Sequence, residues 1–175
     1  GISGPTAPVE AISPEAWQKT LDIGLTGAFN AARAVIPIMK AQSSGAIVNI
    51  ASNAGLMGCP NRSPYVAAKW ALIGLTKTWA MELGSYNVRV NALCPASVEG
   101  ARIDAVIARD ATARGVSEDA IRSVYERQSS LRAFTREEDI AAMVCYLAGD
   151  QGIRISGQAI GIDGHTETLA NYLGP

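Results

Sequence analysis

The segment IVNIASNAGLMGCPNRSPYVAAK, residues 47–69, decides the fold, because a strand pattern, a loop and the start of a helix follow one another within it. The β-branched apolar run at 46–51 is typical of a buried strand in a parallel sheet. Residues 52–63 are rich in glycine, proline and asparagine, which favour a loop. A long helix is predicted from about Pro64 to Leu83. Its apolar residues lie on most faces, which indicates burial on most faces, in part against another subunit.

Outward from this segment, helix and strand patterns alternate along the chain. A helix is predicted from Pro14, because Ser13 is a good N-cap and proline suits the first helical position. Its apolar spacing continues to Met39, although Pro37 should kink or end it. The further predicted elements are a strand at 88–94, one or two surface helices within 101–130, a helix from a Thr135–Glu138 capping box to about Ala148, and a strand at 158–163. This order predicts an α/β fold, a doubly wound parallel sheet with helices on both faces, in a single domain over 1–175.

Composition argues against several classes of protein. The chain has 175 residues, 48% apolar and 18% charged, with a net charge of −1, as in a folded globular protein. We expect neither a nucleic-acid nor a membrane partner, because the chain has no block of like charges and no long uncharged apolar run. The three cysteines are widely spaced and the N-terminus does not resemble a signal peptide, so we expect a reduced, cytoplasmic protein. With His165 as the single histidine, we expect no metal site.

Three polar residues are expected to meet at one edge of the sheet. Active sites of parallel sheets lie beyond the carboxyl ends of the strands, and Ser52 directly follows the first strand. Tyr65 and Lys69 are four residues apart, so they share a face at the start of the next helix. These groups suit proton transfer to an oxygen on a carbon that exchanges a hydride. An ammonium favours the phenolate form of a nearby phenol, a serine hydroxyl can polarise a carbonyl, and the hydride must come from a cofactor.

Each of these residues also has an ordinary structural interpretation. A Tyr-x-x-x-Lys pair is in most helices an amphipathic surface pair, and Ser52 alone is typical of a turn or a helix N-cap. Lys69 is the most informative of the three, because its helix carries few other charges and a buried lysine is rare unless it is paired.

The spacing of several motifs resembles that of the short-chain dehydrogenase/reductase family. Ser52 precedes Tyr65 by 13 residues (65 − 52 = 13), as in that family's serine and Y-x-x-x-K motif. VRVNALCPASV (88–98) is similar to its N-x-x-x-P-G-x-V stretch, and ISGQAIGIDG (155–164) is similar to its closing S-G-x-x-x-x-x-D-G. The resemblance extends along essentially the whole chain and implies a Rossmann-like fold.

The resemblance also implies a role for each matching residue. Tyr65 would be the acid/base, Lys69 would bind the nicotinamide ribose and favour the phenolate, and Ser52 would hold the substrate oxygen. NAD or NADP would be the cofactor, with NAD preferred, and the substrate would be a small-molecule secondary alcohol or ketone. Homodimers or homotetramers are common in the family. The residues implied to pass under the nicotinamide are Pro95, Ala96, Ser97 and Val98.

The sequence departs from the family pattern in three places. It contains no T-G-x-x-x-G-x-G phosphate loop, so the first βα units would be lacking and we expect a piece of a longer chain. Gly24 stands where the family has an asparagine that completes a proton relay, and we hypothesise slower proton exchange. Ala96 replaces a glycine, and Glu99-Gly100 replaces a threonine near the cofactor.

Two functions therefore remain open from the sequence. The first is an NAD(P)-dependent oxidoreductase that uses Tyr65 as acid/base; the second is a non-catalytic fragment that folds or oligomerises without binding cofactor. Met57, Cys59 and residues 97–130 are candidates for lining the substrate pocket, although an ordinary loop and lid explain them equally well. His165 is more typical of a surface or capping residue than of a substrate contact.

Overall fold

A parallel sheet of three strands organises residues 1–169, the part of the chain that the computed structural model describes. The strands are β1 (Gly45–Ile50), β2 (Val88–Pro95) and β3 (Ala159–Ile162), in the order β1-β2-β3. Their carboxyl ends coincide, because Ile50 pairs with Leu93 and Pro95 pairs with Ile162. The three predicted strands and the parallel α/β sheet are confirmed, with strand ends that differ from the predicted ones by one residue.

Helices cover both faces of the sheet, as predicted. They are α1 (Pro14–Leu21), α2 (Gly27–Gln42), α3 (Ser63–Leu83), α4 (Ala101–Arg114), α5 (Glu118–Arg127) and α6 (Glu137–Ala148). Side chains alternate along a strand, so β2 reaches both layers. Val88 and Val90 pack with Trp79 of α3 on one face, whereas Arg89 donates a hydrogen bond to the Leu147 carbonyl of α6 on the other.

The predicted first helix is interrupted and is longer than expected. A wider, π-helical turn (Asp22–Thr26) separates α1 from α2, and Pro37 lies inside α2 without ending it. Ile36 and Met39 flank Pro37 and pack against the core cluster of α3 and β2. We attribute the continuation of α2 to this burial, which offsets the hydrogen bond that proline cannot donate. Of the two effects expected of Pro37, a kink or an end of the helix, the end does not occur at this residue, because α2 continues to Gln42.

The predicted capping box of α6 is displaced by one residue. Arg136 is the N-cap and pairs reciprocally with Asp139, instead of Thr135 with Glu138. The Thr135 hydroxyl donates to the Ile162 carbonyl at 2.7 Å, so its side chain is used in a long-range contact. This contact attaches the start of α6 to the carboxyl end of β3.

The burial of α3 is less complete than its composition predicts. One face packs on the sheet, but Trp70 is 51% exposed and Met81 is 87% exposed. Other large apolar side chains, among them Phe29 and Ile38 of α2, are also exposed. Within residues 1–169, β1 pairs only with β2, so its other edge is open. None of the helices described is both long and apolar enough to cross a membrane.

Candidate active site

Ser52 lies where β1 ends, and its hydroxyl caps a short turn. The residue is 8% exposed. Its Oγ accepts a hydrogen bond from the Ala54 amide at 3.2 Å and donates to Asn53 Oδ1 at 3.3 Å. The hydroxyl is thus held in place at the carboxyl edge of the sheet, and these contacts match the turn-capping interpretation of Ser52.

Tyr65 and Lys69 lie together in the first two turns of α3, which begins at the same edge. Lys69 is only 9% exposed, and its Nζ lies 5.6 Å from the centroid of the Tyr65 ring. The ammonium donates to the Ile50 carbonyl at 2.8 Å, so it is directed at the end of β1. A buried lysine with one backbone acceptor, facing a half-buried phenol, is unlike an amphipathic surface pair.

The interior around Lys69 disfavours charge. Burial lowers the pKa of Lys69, and the positive charge of Arg102 adds to that effect. Burial raises the pKa of the Cys94 thiol to about 11, although the backbone amide of Ser52 opposes this. Cys94 is therefore a neutral thiol beside Ser52 and Lys69.

The loop after β2 presents unpaired backbone groups. Thr135 donates from its amide to the Ser97 carbonyl at 3.0 Å, and the Glu99 amide donates to the Thr135 carbonyl at 2.9 Å. Val98 lies between these two bonds, so its own amide and carbonyl point to the opposite side. No hydrogen bond within residues 1–169 uses either group. A free donor and acceptor on one residue fit a carboxamide, which is the polar group of nicotinamide.

Two residues that the sequence analysis passed over shape the floor of this region. Asn53 is 4% exposed, and within residues 1–169 its Nδ2 has no hydrogen-bond partner. It lines a cavity of about 10 Å³ together with Ser97 and Phe134, a volume close to the minimum for one water molecule. At Gly55, a Cβ atom would lie 2.9 Å from the Lys69 carbonyl, so the loop packs directly on α3. In the sequence, the feature that could have pointed to Asn53 and Gly55 was their position in the loop that follows the first strand.

Arg62 is a third residue that sequence reasoning missed. Its guanidinium carbon lies 4.8 Å from the centroid of the Tyr65 ring. The phenol ring therefore has two cations near it, Arg62 and Lys69. The signal in the sequence was a single basic residue three positions before the tyrosine, in a loop that is otherwise uncharged.

The structure also places the residues for which the functional arguments from the sequence are weaker. Cys59 is half-buried, and burial raises the pKa of its thiol. His165 is exposed at the end of β3 with a φ of 64°, and its Nδ1 lies 2.7 Å from Ser130 Oγ, which fits the capping interpretation. Gly24 faces Ala68 of α3. Among residues 1–169 no group of His, Cys, Asp and Glu could hold a metal ion.

Comparisons with known proteins agree with this architecture. A family model described as enoyl-(acyl carrier protein) reductase matches residues 1–165. D-beta-hydroxybutyrate dehydrogenase of Rhizobium meliloti is 36% identical over 89% of this chain and 61% of its own length. A 3-oxoacyl-[acyl-carrier-protein] reductase of Thermotoga maritima is 35% identical over 86% of this chain and 56% of its own length.

Solved structures match over a similar share. The structure of an NAD⁺-bound xylitol dehydrogenase superposes with a TM-score of 0.88 at 31% identity, and the match covers 94% of this chain and 65% of that one. The chain thus spans roughly three fifths of the length of the curated relatives it matches, 61% and 56% in the two cases above. On the strength of the family model and of these matches, the chain belongs to the short-chain dehydrogenase/reductase family.

Proposed function

We propose that this chain carries the proton-transfer site of an NAD(P)-dependent oxidoreductase that acts on secondary alcohols or ketones. The observation that carries the proposal is the burial of Lys69 against Tyr65. The Lys69 ammonium binds the carbonyl of Ile50 at the carboxyl end of β1, two residues before Ser52. A buried ammonium is costly, so its retention beside a phenol favours a chemical role.

Each residue of the site has one proposed task. Tyr65 gives a proton to the substrate oxygen during reduction and takes it back during oxidation. Ser52, held by its bonds to Asn53 and Ala54, donates a hydrogen bond to that oxygen and stabilises the charge that develops on it. Lys69 presents its positive charge to the phenol and is within reach of a cofactor bound beyond β1.

The backbone of the loop after β2 would hold the nicotinamide. Val98 offers the carboxamide an amide and a carbonyl that have no partner among the described residues. The loop from Pro95 is anchored by the Ala96 amide, which donates to the Ile162 carbonyl at 3.1 Å. When bound, the cofactor supplies the hydride acceptor or donor. We propose NAD, because the matching xylitol dehydrogenase structure is NAD⁺-bound. Residues that would bind the pyrophosphate are not among those of this sequence that match the family pattern.

The proposed substrate is a small-molecule alcohol or ketone, and the proposed assembly is a homodimer or homotetramer in the cytoplasm. The names of the two relatives above cover a free hydroxy acid and an acyl-carrier thioester, so they leave the substrate class open. The exposed apolar residues Phe29, Ile38, Trp70 and Met81 favour helix packing between subunits.

The second candidate is a chain that folds without binding cofactor. A titration with NADH separates the two, with energy transfer from Trp70, the residue after Lys69, as the signal. We expect transfer that saturates at or below millimolar NADH and turnover of a secondary alcohol with NAD⁺. If millimolar NADH produces no transfer, the enzyme hypothesis fails for this chain and the second candidate stands.

A further inference from the structure

Arg62 is a charged side chain beside the proposed acid/base. It precedes α3 directly, and its guanidinium lies over the Tyr65 ring, 4.8 Å from the guanidinium carbon to the ring centroid. Stacking of this kind holds a guanidinium flat and keeps its edge available for hydrogen bonds. A group bound to the guanidinium would therefore lie near the Tyr65 ring, which carries the hydroxyl of the proposed acid/base.

The hydrogen-bonding capacity of Arg62 is mostly unused. Of the five N–H donors of a guanidinium, one is used within residues 1–169, from Nη2 to the Ser3 carbonyl at 3.0 Å. Nε is buried and has no partner within residues 1–169. No carboxylate of the described residues lies within ion-pair distance, so the positive charge of this half-buried side chain is not compensated.

An uncompensated, partly buried guanidinium is unfavourable unless a ligand satisfies it. A carboxylate is the group that best matches its planar fork and its charge. The neutral ester or thioester of the same acid lacks the charge, and only its carbonyl oxygen is a good hydrogen-bond acceptor. The chemistry of this side chain therefore distinguishes a free acid from an acyl-carrier substrate.

We propose that Arg62 is the binding residue for a carboxylate on the substrate, so that the substrate class is a free hydroxy or oxo acid. The proposal deepens the proposed function and rests on it, since the carboxylate is placed beside the Tyr65 that would act on the carbinol. It selects the hydroxy acid over the thioester, a choice that the sequence alone leaves open.

Direct binding tests this without turnover. The probes are D-3-hydroxybutyrate and its methyl ester, which share one carbinol and differ in charge, measured by ligand-observed NMR with and without NADH. We expect the acid to bind about tenfold more tightly than the ester, as a charge-assisted contact predicts. In Arg62→Gln this preference should be lost, and in Arg62→Lys part of it should remain because the charge is kept.

Two controls separate a binding role from a structural one. Arg102→Gln removes a different cation, the one whose charge acts on Lys69, and should leave the preference for the acid unchanged. Thermal unfolding of each variant shows whether the tether to Ser3 is the main contribution of Arg62. If Arg62→Gln does not fold, the Arg62→Lys variant and the acid-to-ester ratio of the native chain carry the test.

The outcomes are distinct from those for the oxidoreductase. Equal binding of acid and ester to the native chain, or a preference that survives Arg62→Gln or disappears in Arg102→Gln, overturns the role of Arg62 even if turnover is observed. A preference that depends on Arg62 supports it even if no turnover is detected, in which case only the proposed oxidoreductase activity fails.

Discussion

Lys69 of α3 donates a hydrogen bond from its ammonium to the main-chain carbonyl of Ile50, the last residue of β1, with 2.8 Å between the two atoms. This bond joins the helix that carries Tyr65 to the strand that leads to Ser52. It also explains how a lysine can be 9% exposed with no acidic partner in the described part of the chain, because a backbone carbonyl accepts a hydrogen bond from one of its three donors. This one contact thus both positions Lys69 and gives its buried ammonium a hydrogen-bond acceptor.

The burial of Lys69 predicts a pH-dependent contribution to stability. Because its pKa is lowered from 10.5, the unfolded chain holds this proton at pH values where the folded chain has begun to release it. The folded state therefore gains stability from this group as pH rises towards 10.5. We expect the free energy of unfolding of the native chain, minus that of Lys69→Met, to increase between pH 7 and 10. Urea unfolding of both proteins measures it, and a difference that falls or stays constant with pH would contradict the burial argument.

Tyr65→Phe removes the phenol oxygen and leaves the ring between its two neighbouring cations. If Tyr65 is the acid/base, kcat should fall by about 10²–10⁴-fold, as for the loss of a positioned proton donor, with NADH binding and thermal stability little changed. Tyr86→Phe is a matched control, because Tyr86 also has a lysine, Lys40, 4.5 Å from its ring centroid but is remote from the site. Equal effects of the two substitutions on kcat would count against a chemical role for Tyr65.

Substitution of Gly24 tests whether the lack of a side chain at this position limits proton exchange. It lies in the π-helical turn opposite Ala68, which is next to Lys69 in the chain, and a Cβ at Gly24 would be 3.3 Å from the Ala68 Cβ. Gly24→Asn should raise the turnover of a cofactor-competent protein. Gly24→Ala controls for helix propensity, worth about 1 kcal/mol, and for the crowding against Ala68. If turnover rises equally in both variants, or in neither, an amide at this position has no role in the relay.

Substitution by alanine should have opposite effects on stability at Gly55 and at Gly74. At Gly55 the new methyl group would be 2.9 Å from the Lys69 carbonyl and from Ile73 Cδ1, so Gly55→Ala should cost about 1–3 kcal/mol. At Gly74, in the middle of α3, such a methyl group would meet nothing within 4 Å beyond its chain neighbours and the helix's own backbone, so Gly74→Ala should stabilise by about 0.5–1 kcal/mol. Chemical denaturation measures both, and a neutral Gly55→Ala would show that the loop can move away from α3.

Cys94 should be the least reactive thiol of the chain. It is completely buried, and its pKa of about 11 leaves almost no thiolate at neutral pH. Cys145 is exposed and provides the internal comparison. With a thiol-specific chromophoric reagent at pH 7.5, we expect Cys145 to react first and Cys94 only in denaturant. Prompt labelling of Cys94 in a Cys145→Ser variant would mean that the edge of the sheet opens readily.

The strands and the order of the elements could be predicted because they depend on local pattern. β-branched runs at 46–51 and 88–94 and the loop residues between elements indicate a parallel sheet without any knowledge of contacts. The errors came where long-range packing competes with a local rule. Pro37 lies within α2, where Ile36 and Met39 are partly buried against the core, and Thr135 bonds to β3 instead of capping α6.

The sequence by itself determined which residues are at the carboxyl edge of the sheet, since Ser52, Tyr65 and Lys69 follow from strand ends and a four-residue spacing. The tertiary structure alone decided the environment of these residues. Lys69 is buried on Ile50, Arg62 lies over Tyr65, and, among the described residues, the backbone groups of Val98 and the side-chain amide nitrogen of Asn53 have no partner. The physical reason is that burial, charge compensation and hydrogen-bond satisfaction depend on groups far apart in the chain, which periodicity and spacing do not specify.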